Sequence, residues 1–179
     1  YTDGRLNYGI TRGDGTSGEE VTHNVKTIRS VPLQLRNFPV KGYNLNEIHV
    51  RGEIYMELGD FMNLNRDRAA KGEKVFANPR NFSAGTIKLQ DPQIVAGRPL
   101  KIFVYYLLTK DASIKTHEEG LDLLKKMGFR VNDAAKKCKG IEEVIKVCRK
   151  FESSRESLPY EIDGAVIKVN SIQQQRVLG

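Results

Sequence analysis

Signals for membrane spans and for metal clusters are scarce in this chain of 179 residues. No stretch approaches the roughly 18 consecutive apolar residues that a transmembrane helix requires, and the first residues lack the pattern of a signal peptide. The two cysteines, Cys138 and Cys148, do not form a Cys-x-x-Cys pair. These absences argue against a membrane protein and against a zinc site within the chain, and they weakly favour a reducing compartment.

The chain also has fewer acidic than basic residues. The chain has 29 Lys and Arg against 22 Asp and Glu, which gives a net charge of +7 at pH 7. A basic protein of this kind favours a polyanionic partner such as nucleic acid, although a soluble basic protein without such a partner fits the charge equally well. The length is sufficient for one substantial hydrophobic core.

The spacing of apolar residues predicts strands first, then two helices, then a strand. Asp3-Gly4 is a hairpin-turn signal followed by a short alternating strand. Residues 47–56 alternate as a strand with one charged face, and residues 102–108 are apolar on both faces, which is typical of a central strand. Between these strands, residues 57–70 predict a helix and residues 76–89 an irregular segment. The pattern indicates an α+β fold with mainly antiparallel sheets and flanking helices.

Three helices are predicted in the second half of the chain. Thr116, with Glu119 three positions later, begins the first of them, and Gly128 ends it. The second carries Cys148 on its apolar face, which predicts a thiol buried in the core. Residues 171–178 predict a short final helix that is stopped by Gly179.

Residues 160–170 combine the pattern of a strand with charged residues. The segment is rich in Ile and Val, yet Asp163, Gly164 and Lys168 stand where a core strand would have apolar side chains. Because an unpaired buried ammonium is costly, Lys168 must reach solvent or an anion such as a nucleotide phosphate. Asp163 and Lys168 fall on opposite faces of a regular strand and need not pair, although a bulge at Gly164 would change this register.

Two further segments are candidates for binding a nucleotide. Arg12 stands beside a glycine-rich loop whose N–H groups could lie against phosphate, but no Gly-Lys-Ser/Thr follows, and a plain wide hairpin loop is the simpler interpretation. Glu53 shares a strand face with His49, Arg51 and Tyr55. A carboxylate there could accept hydrogen bonds from a ribose, hold a metal ion or simply face solvent.

Four motifs occur in a fixed order along the chain: Thr11-Arg12-Gly13-Asp14-Gly15, Val50-Arg51-Gly52-Glu53, Phe76-Ala77-Asn78-Pro79-Arg80-Asn81 with Ala84-Gly85, and Glu161-Ile162-Asp163-Gly164 through Lys168-Val169-Asn170. Together they resemble the adenylation domain of bacterial NAD-dependent DNA ligases, and the resemblance covers essentially the whole chain. It implies a nucleotidyltransferase core of the ATP-grasp-like DNA ligase type.

The resemblance implies an enzyme that seals nicks between 3′-hydroxyl and 5′-phosphate ends of duplex DNA during replication and repair. In that family a lysine of a Lys-x-Asp-Gly motif takes AMP from NAD and passes it to the 5′-phosphate, from which the 3′-hydroxyl displaces it. NAD and Mg²⁺ are the implied cofactors, and nicked double-stranded DNA is the implied partner. A monomeric, cytoplasmic, nucleoid-associated bacterial enzyme is expected.

The same resemblance implies roles for individual residues. Arg12 is expected near the ribose and phosphate, Glu53 is expected to hold the ribose, and Lys168 is expected to contact the adenine or the phosphate as a catalytic residue. Asp163 is expected to support catalysis or, together with Glu53, to hold Mg²⁺. Contacts with phosphates or with the nick are expected from Arg80, Lys88 and Arg155. The family commonly has arginine at the position of Lys88, and a lysine cannot make the same bidentate contact.

The resemblance also implies that residues 1–179 are a fragment of the adenylation domain. The nucleophilic lysine is expected about ten residues upstream, in the first strand of the hairpin that turns at Asp3-Gly4. The nicotinamide-binding subdomain, the last nucleotidyltransferase motif and the OB, zinc, helix-hairpin-helix and BRCT modules are expected elsewhere, so the 179 residues alone are expected to be inactive. Two alternatives are an ATP-using ligase or capping-type enzyme and a non-catalytic basic module that binds nucleic acid.

Overall fold

The computed structural model describes residues 1–178. Within this range there are two strands, β1 (Ile48–Tyr55) and β2 (Lys101–Thr109), and seven α-helices: α1 (Thr22–Val25), α2 (Leu58–Ala70), α3 (Pro79–Thr86), α4 (Pro92–Ala96), α5 (His117–Lys126), α6 (Ile141–Ser154) and α7 (Ile172–Leu178). A 3₁₀ turn, Arg155–Ser157, follows α6. This mixture of helices with a small antiparallel sheet agrees with the predicted α+β class. No helix in the range is both long and apolar enough to cross a membrane.

The sheet consists of β1 paired antiparallel with β2. Its register shifts between Arg51 and Gly52, which marks a β-bulge. The predicted alternation of β1 is confirmed, because Ile48 is buried while His49, Arg51 and Glu53 are exposed. The predicted turn is confirmed as well, since Thr2 and Arg5 exchange two backbone hydrogen bonds of 3.0 Å across Asp3-Gly4.

Two predictions about strands are wrong for the residues that the structure describes. Residues 102–108 do form a strand, but β2 has β1 on one side and only a single bridge, from Val104 to Val131, on the other, so it is not central. Residues 160–170 form no strand, and Val166 and Ile167 are 83% and 63% exposed. A strand needs a hydrogen-bonded neighbour, which residue composition alone cannot supply.

The hydrophobic core lies in two clusters on the sheet. One cluster contains Leu124 of α5, which is completely buried, and the other contains Phe82 of α3. The predicted beginning of α5 is confirmed, because the Thr116 hydroxyl accepts a 3.1 Å hydrogen bond from the N–H of Glu119. Gly128, with a φ of 96°, follows the end of that helix as predicted.

Helix α3 corrects the prediction that residues 76–89 are irregular. The Asn78 side chain accepts a 2.8 Å hydrogen bond from the N–H of Asn81, and Pro79 takes the first helical position, where it needs no donor. An Asn-Pro pair favours a turn, but it is also a pattern with which a helix begins. Helix α3 buries Phe82 and packs against β1, which positions Arg80 near the sheet.

The prediction that Cys148 is buried in the core is wrong. Helix α6 has no buried residue, and Cys148 is half-buried. No residue of α6 belongs to either hydrophobic cluster, so its apolar face is not covered by the described core. The spacing of apolar residues predicted the helix correctly, but it does not indicate which other element packs against the apolar face. The stop at Gly179 lies outside the described residues.

Tyr55 allows a test of stability against pH. Its hydroxyl is buried without a hydrogen-bond partner among the described residues, and burial raises the pKa of Tyr55 to about 12. The stability contributed by protonated Tyr55 is therefore complete below pH 10 and is lost between pH 10 and 12. We expect Tyr55→Phe to raise the free energy of unfolding by about 1 kcal/mol at pH 7, since it removes an unsatisfied hydroxyl, and to reduce the alkaline loss.

Denaturant unfolding at pH 7 and in the alkaline range measures both effects. Tyr160→Phe is the matched control, because the Tyr160 hydroxyl accepts a 3.0 Å hydrogen bond from Asn132. That variant is expected to be less stable than the wild type at pH 7. A loss of stability at pH 7 in Tyr55→Phe would contradict the expectation.

Candidate functional site

The charged side chains of β1 and the aromatic side chains of β2 share one face of the sheet, which we call the site face. Glu53 lies opposite Phe103, and Arg51 lies opposite Tyr106. The register shift gives β2 one additional residue, Tyr105, between these two pairs. The site face therefore presents one carboxylate, one guanidinium and several aromatic rings close together.

Lys168 reaches the site face from the segment 160–170. Its Nζ atom lies 4.9 Å from the ring centroid of Tyr105 and 5.2 Å from that of Tyr106. The guanidinium of Arg51 lies 5.8 Å from the same Tyr106 ring. Burial lowers the pKa of Lys168, and the positive charge of Arg51 lowers it further. No carboxylate within residues 1–178 forms an ion pair with Lys168, so the electrostatic arrangement favours an anion.

The segment that carries Lys168 is held at both ends. Tyr160 packs edge-on against Tyr55 and Phe103, with ring centroids 5.4 and 5.2 Å apart. At the other end, the carbonyl of Asn170 accepts a 2.7 Å hydrogen bond from the N–H of His117. These two attachments position Lys168 over the sheet even though the segment is not a strand.

His117 extends the cluster around Tyr106. The two ring centroids are 5.8 Å apart. Burial lowers the pKa of His117, and the charge of Lys168 lowers it further. His117, Tyr105 and Tyr106 were not predicted from the sequence to be site residues. The sequence contained one signal for the two tyrosines: they are adjacent within a predicted strand and interrupt its alternation of side chains between two faces.

Asp163 and Lys168 point to different partners. The Asp163 carboxylate forms an ion pair with the guanidinium of Arg80, at the beginning of α3. Both side chains are largely exposed, at 76% and 65%, so the pair contributes less than about 1 kcal/mol to stability. A weak exposed pair of this kind can exchange one partner for a ligand.

The glycine-rich loop that contains Arg12 is a wide hairpin closed by a bridge between Ile10 and Glu20. Two of its N–H groups, those of Thr16 and Ser17, donate 2.8 Å hydrogen bonds to the carboxylate of Asp14. These two donors are therefore already used, whereas the Arg12 side chain is exposed and can meet a phosphate.

Lys88 and Arg155 are the two other basic residues predicted to contact phosphates or the nick, and only Lys88 has a described ion pair. An ion pair of 3.2 Å joins Lys88 to Glu19, so the loop that carries Arg12 contacts the chain just after α3. Arg155 is exposed in the 3₁₀ turn that follows α6. The contacts of residues 1–178 thus bring Arg80 to Asp163 and Lys88 to the Arg12 loop, while Glu53 and Lys168 share the site face.

The described side chains include no cluster of metal ligands. Residues 1–178 contain no group of three His, Cys, Asp or Glu that could bind a metal ion. Of the two carboxylates predicted as ligands, Asp163 is paired with Arg80, and Glu53 is on a strand that faces aromatic rings. The donor set does not fit a metal site made by the protein alone.

Gly52 is required by packing within the sheet. A Cβ atom at this position would lie 2.8 Å from Cδ1 of Ile102 and 2.8 Å from the carbonyl oxygen of Phe103. The family resemblance implies a role in binding for the motif that contains Gly52. The geometry adds a structural reason for the glycine, because β2 approaches β1 closely at the bulge.

Comparison with known proteins identifies the family. The family model described as "NAD-dependent DNA ligase adenylation domain" matches residues 1–179. The whole chain is 47% identical to the DNA ligase of Solibacter usitatus, 49% identical to that of Petrotoga mobilis and 47% identical to that of Bacillus subtilis. In each case it spans 26% of the relative's length. The chain belongs to the family of NAD-dependent DNA ligase adenylation domains.

Proposed function

We propose that this chain forms the adenylate-binding part of an NAD-dependent DNA ligase with a nucleotidyltransferase core. The observation that carries the proposal is the placement of Lys168 and Arg51 over the Tyr106 ring, on the sheet face that also presents Glu53. Cations, a carboxylate and flat aromatic rings are the groups that bind the phosphate, the ribose and the base of a nucleotide.

Each part of the adenylate has a matching group on the site face. Lys168 and Arg51 attract the α-phosphate. The negative charge of the phosphate offsets both the partial burial of Lys168 and the repulsion between the two cations. The Glu53 carboxylate accepts hydrogen bonds from ribose hydroxyls. The exposed ring of Tyr105 offers a platform on which a purine can stack once the Lys168 side chain turns toward phosphate.

The basic residues around the site are suited to the DNA. Arg80, Lys88 and Arg155 are exposed, and the first two are held only by exposed ion pairs that a phosphodiester can replace. Mg²⁺ belongs to the proposal as an ion that arrives with the substrate phosphates, because the described carboxylates make no site of their own.

The reaction requires a nucleophile that the 179 residues do not contain as a Lys-x-Asp-Gly motif. We assign that lysine to another part of the same protein. Its nitrogen attacks the α-phosphate of NAD, a P–N bond forms and nicotinamide mononucleotide leaves. The 5′-phosphate at the nick then takes AMP from the lysine, and the 3′-hydroxyl displaces AMP to form the phosphodiester bond.

Intact mass of the whole protein after incubation with Mg²⁺ and either NAD or ATP tests this proposal. We expect a mass increase of one AMP with NAD and none with ATP, and no adduct on the 179 residues alone. An adduct from ATP only would assign the protein to the ATP-using class. No adduct from either nucleotide, on folded protein, would favour the second candidate, a non-catalytic module whose +7 net charge binds nucleic acid.

A further inference from the structure

Two neighbouring clefts are lined by cations. The larger has a volume of about 450 Å³ and contains Arg29, Arg36 and Arg130; the smaller, of about 310 Å³, contains Arg5 and Lys26. Gln34 lines both clefts, so they form one continuous surface, which we call the basic cleft. None of the residues that line either cleft is acidic, although the chain has 22 Asp and Glu.

The arginines of the larger cleft make no ion pair with any carboxylate of residues 1–178. Elsewhere in the same range, basic side chains such as Arg68 and Lys101 are paired with glutamates at 2.8 and 2.6 Å. Cations gathered without counter-charges repel one another, and a bound anion relieves that repulsion.

Packing, rather than acidic partners, positions two of these arginines. The Arg36 side chain lies across Gly128, where a Cβ atom would come within 3.0 Å of the arginine Cδ. The backbone N–H of Arg36 donates a 3.0 Å hydrogen bond to the carbonyl of Met127, which leaves the guanidinium donors unused. The guanidinium of Arg130 lies 5.0 Å from the ring centroid of Phe103. Side chains held in this way keep their N–H donors available and lose little conformational entropy when an anion binds.

We propose that the basic cleft is a second binding surface, separate from the adenylate site, for the phosphodiester backbone of DNA. A run of cations along two joined open clefts matches the repeated phosphates of a strand better than it matches one small anion. Arg130 lies in the cleft and also touches Phe103 of the site face, so the surface begins beside the adenylate site. The proposal rests on the proposed function, because it assumes that DNA is the partner.

The test is the salt dependence of binding between the whole protein and a fluorescein-labelled nicked duplex. In Arg29→Gln/Arg36→Gln, we expect the slope of log K against log salt to become shallower by about 2, since each lost phosphate contact removes about 0.9. Binding at low salt should weaken, while AMP transfer from NAD to the protein should not change. A second pair, Arg5→Gln/Lys26→Gln, removes the cations of the smaller cleft and should reduce the slope in the same way.

The control is Lys146→Gln/Arg149→Gln, which removes the same charge from the exposed surface of α6. This variant should keep the wild-type slope. An unchanged slope in both cleft variants, or an equal reduction in the control, would overturn the proposal while leaving the adenylation result intact. Failure of the wild-type protein to accept AMP would instead count against the proposed function.

Discussion

Lys168→Ala and Glu53→Ala are each expected to reduce transfer of AMP from NAD to the whole protein by about 100-fold or more. Loss of a single preorganised group that stabilises charge at a reacting phosphate typically has an effect of this size. Lys168 provides the cation over Tyr105 and Tyr106, and Glu53 provides the carboxylate on the same face. The rate of appearance of the AMP adduct by intact mass measures the effect.

Both variants are expected to fold normally. Glu53 is exposed, Lys168 is only partly covered by the tyrosine rings, and neither forms an ion pair within the described chain. The matched controls are Lys110→Ala and Glu47→Ala, an exposed lysine and glutamate at the other end of the same sheet that pair with each other at 3.1 Å. These controls should keep the wild-type rate. Adenylation at a normal rate in Glu53→Ala would support the non-catalytic binding module.

The order of elements could be predicted from sequence wherever local chemistry decides the structure. The turn at Asp3-Gly4 and the Thr116 cap of α5 depend on a few neighbouring residues, and both are confirmed. The same local signals also mark the beginning of α3 at Asn78 and Pro79, within residues that were predicted to be irregular. That error came from choosing one of two structures that the same pair of residues favours.

Long-range partners could not be predicted from residue patterns. Residues 160–170 and helix α6 both have apolar spacing typical of buried elements, yet Val166 is exposed and no residue of α6 is buried. Spacing tells which side chains share a face, but it does not reveal what covers that face. For the same reason Cys148 was wrongly assigned to the core.

In the candidate site, too, features set by local sequence could be predicted, whereas contacts between distant segments could not. Alternation along β1 placed Glu53 and Arg51 on one face, and the ordered motifs pointed to Lys168. Tyr105 and Tyr106 were not identified, because their position over Lys168 depends on a bulge and on a distant segment that returns across the sheet. The basic cleft was not identified either, since its arginines come from separate parts of the chain.

Gly52→Ala is expected to cost about 3 kcal/mol of stability and to impair AMP transfer as well. The added methyl group would meet a backbone carbonyl, that of Phe103, at 2.8 Å, and a carbonyl within a sheet cannot move without disturbing the ladder. The same movement would change the spacing between Glu53 and the aromatic rings of β2. Denaturant unfolding measures the loss of stability, and the rate of AMP adduct formation measures the loss of activity.

Gly59→Ala is the matched control for this prediction. Gly59 lies in α2, and a Cβ atom there would have nothing within 4 Å. Because alanine favours a helix over glycine by about 1 kcal/mol, the control should be as stable as the wild type or slightly more stable. If Gly52→Ala were as stable and as active as this control, the close approach of the two strands would not be the reason for glycine in the Val50-Arg51-Gly52-Glu53 motif. A loss of both properties in Gly52→Ala alone would show that this motif maintains the bulge on which the site face depends.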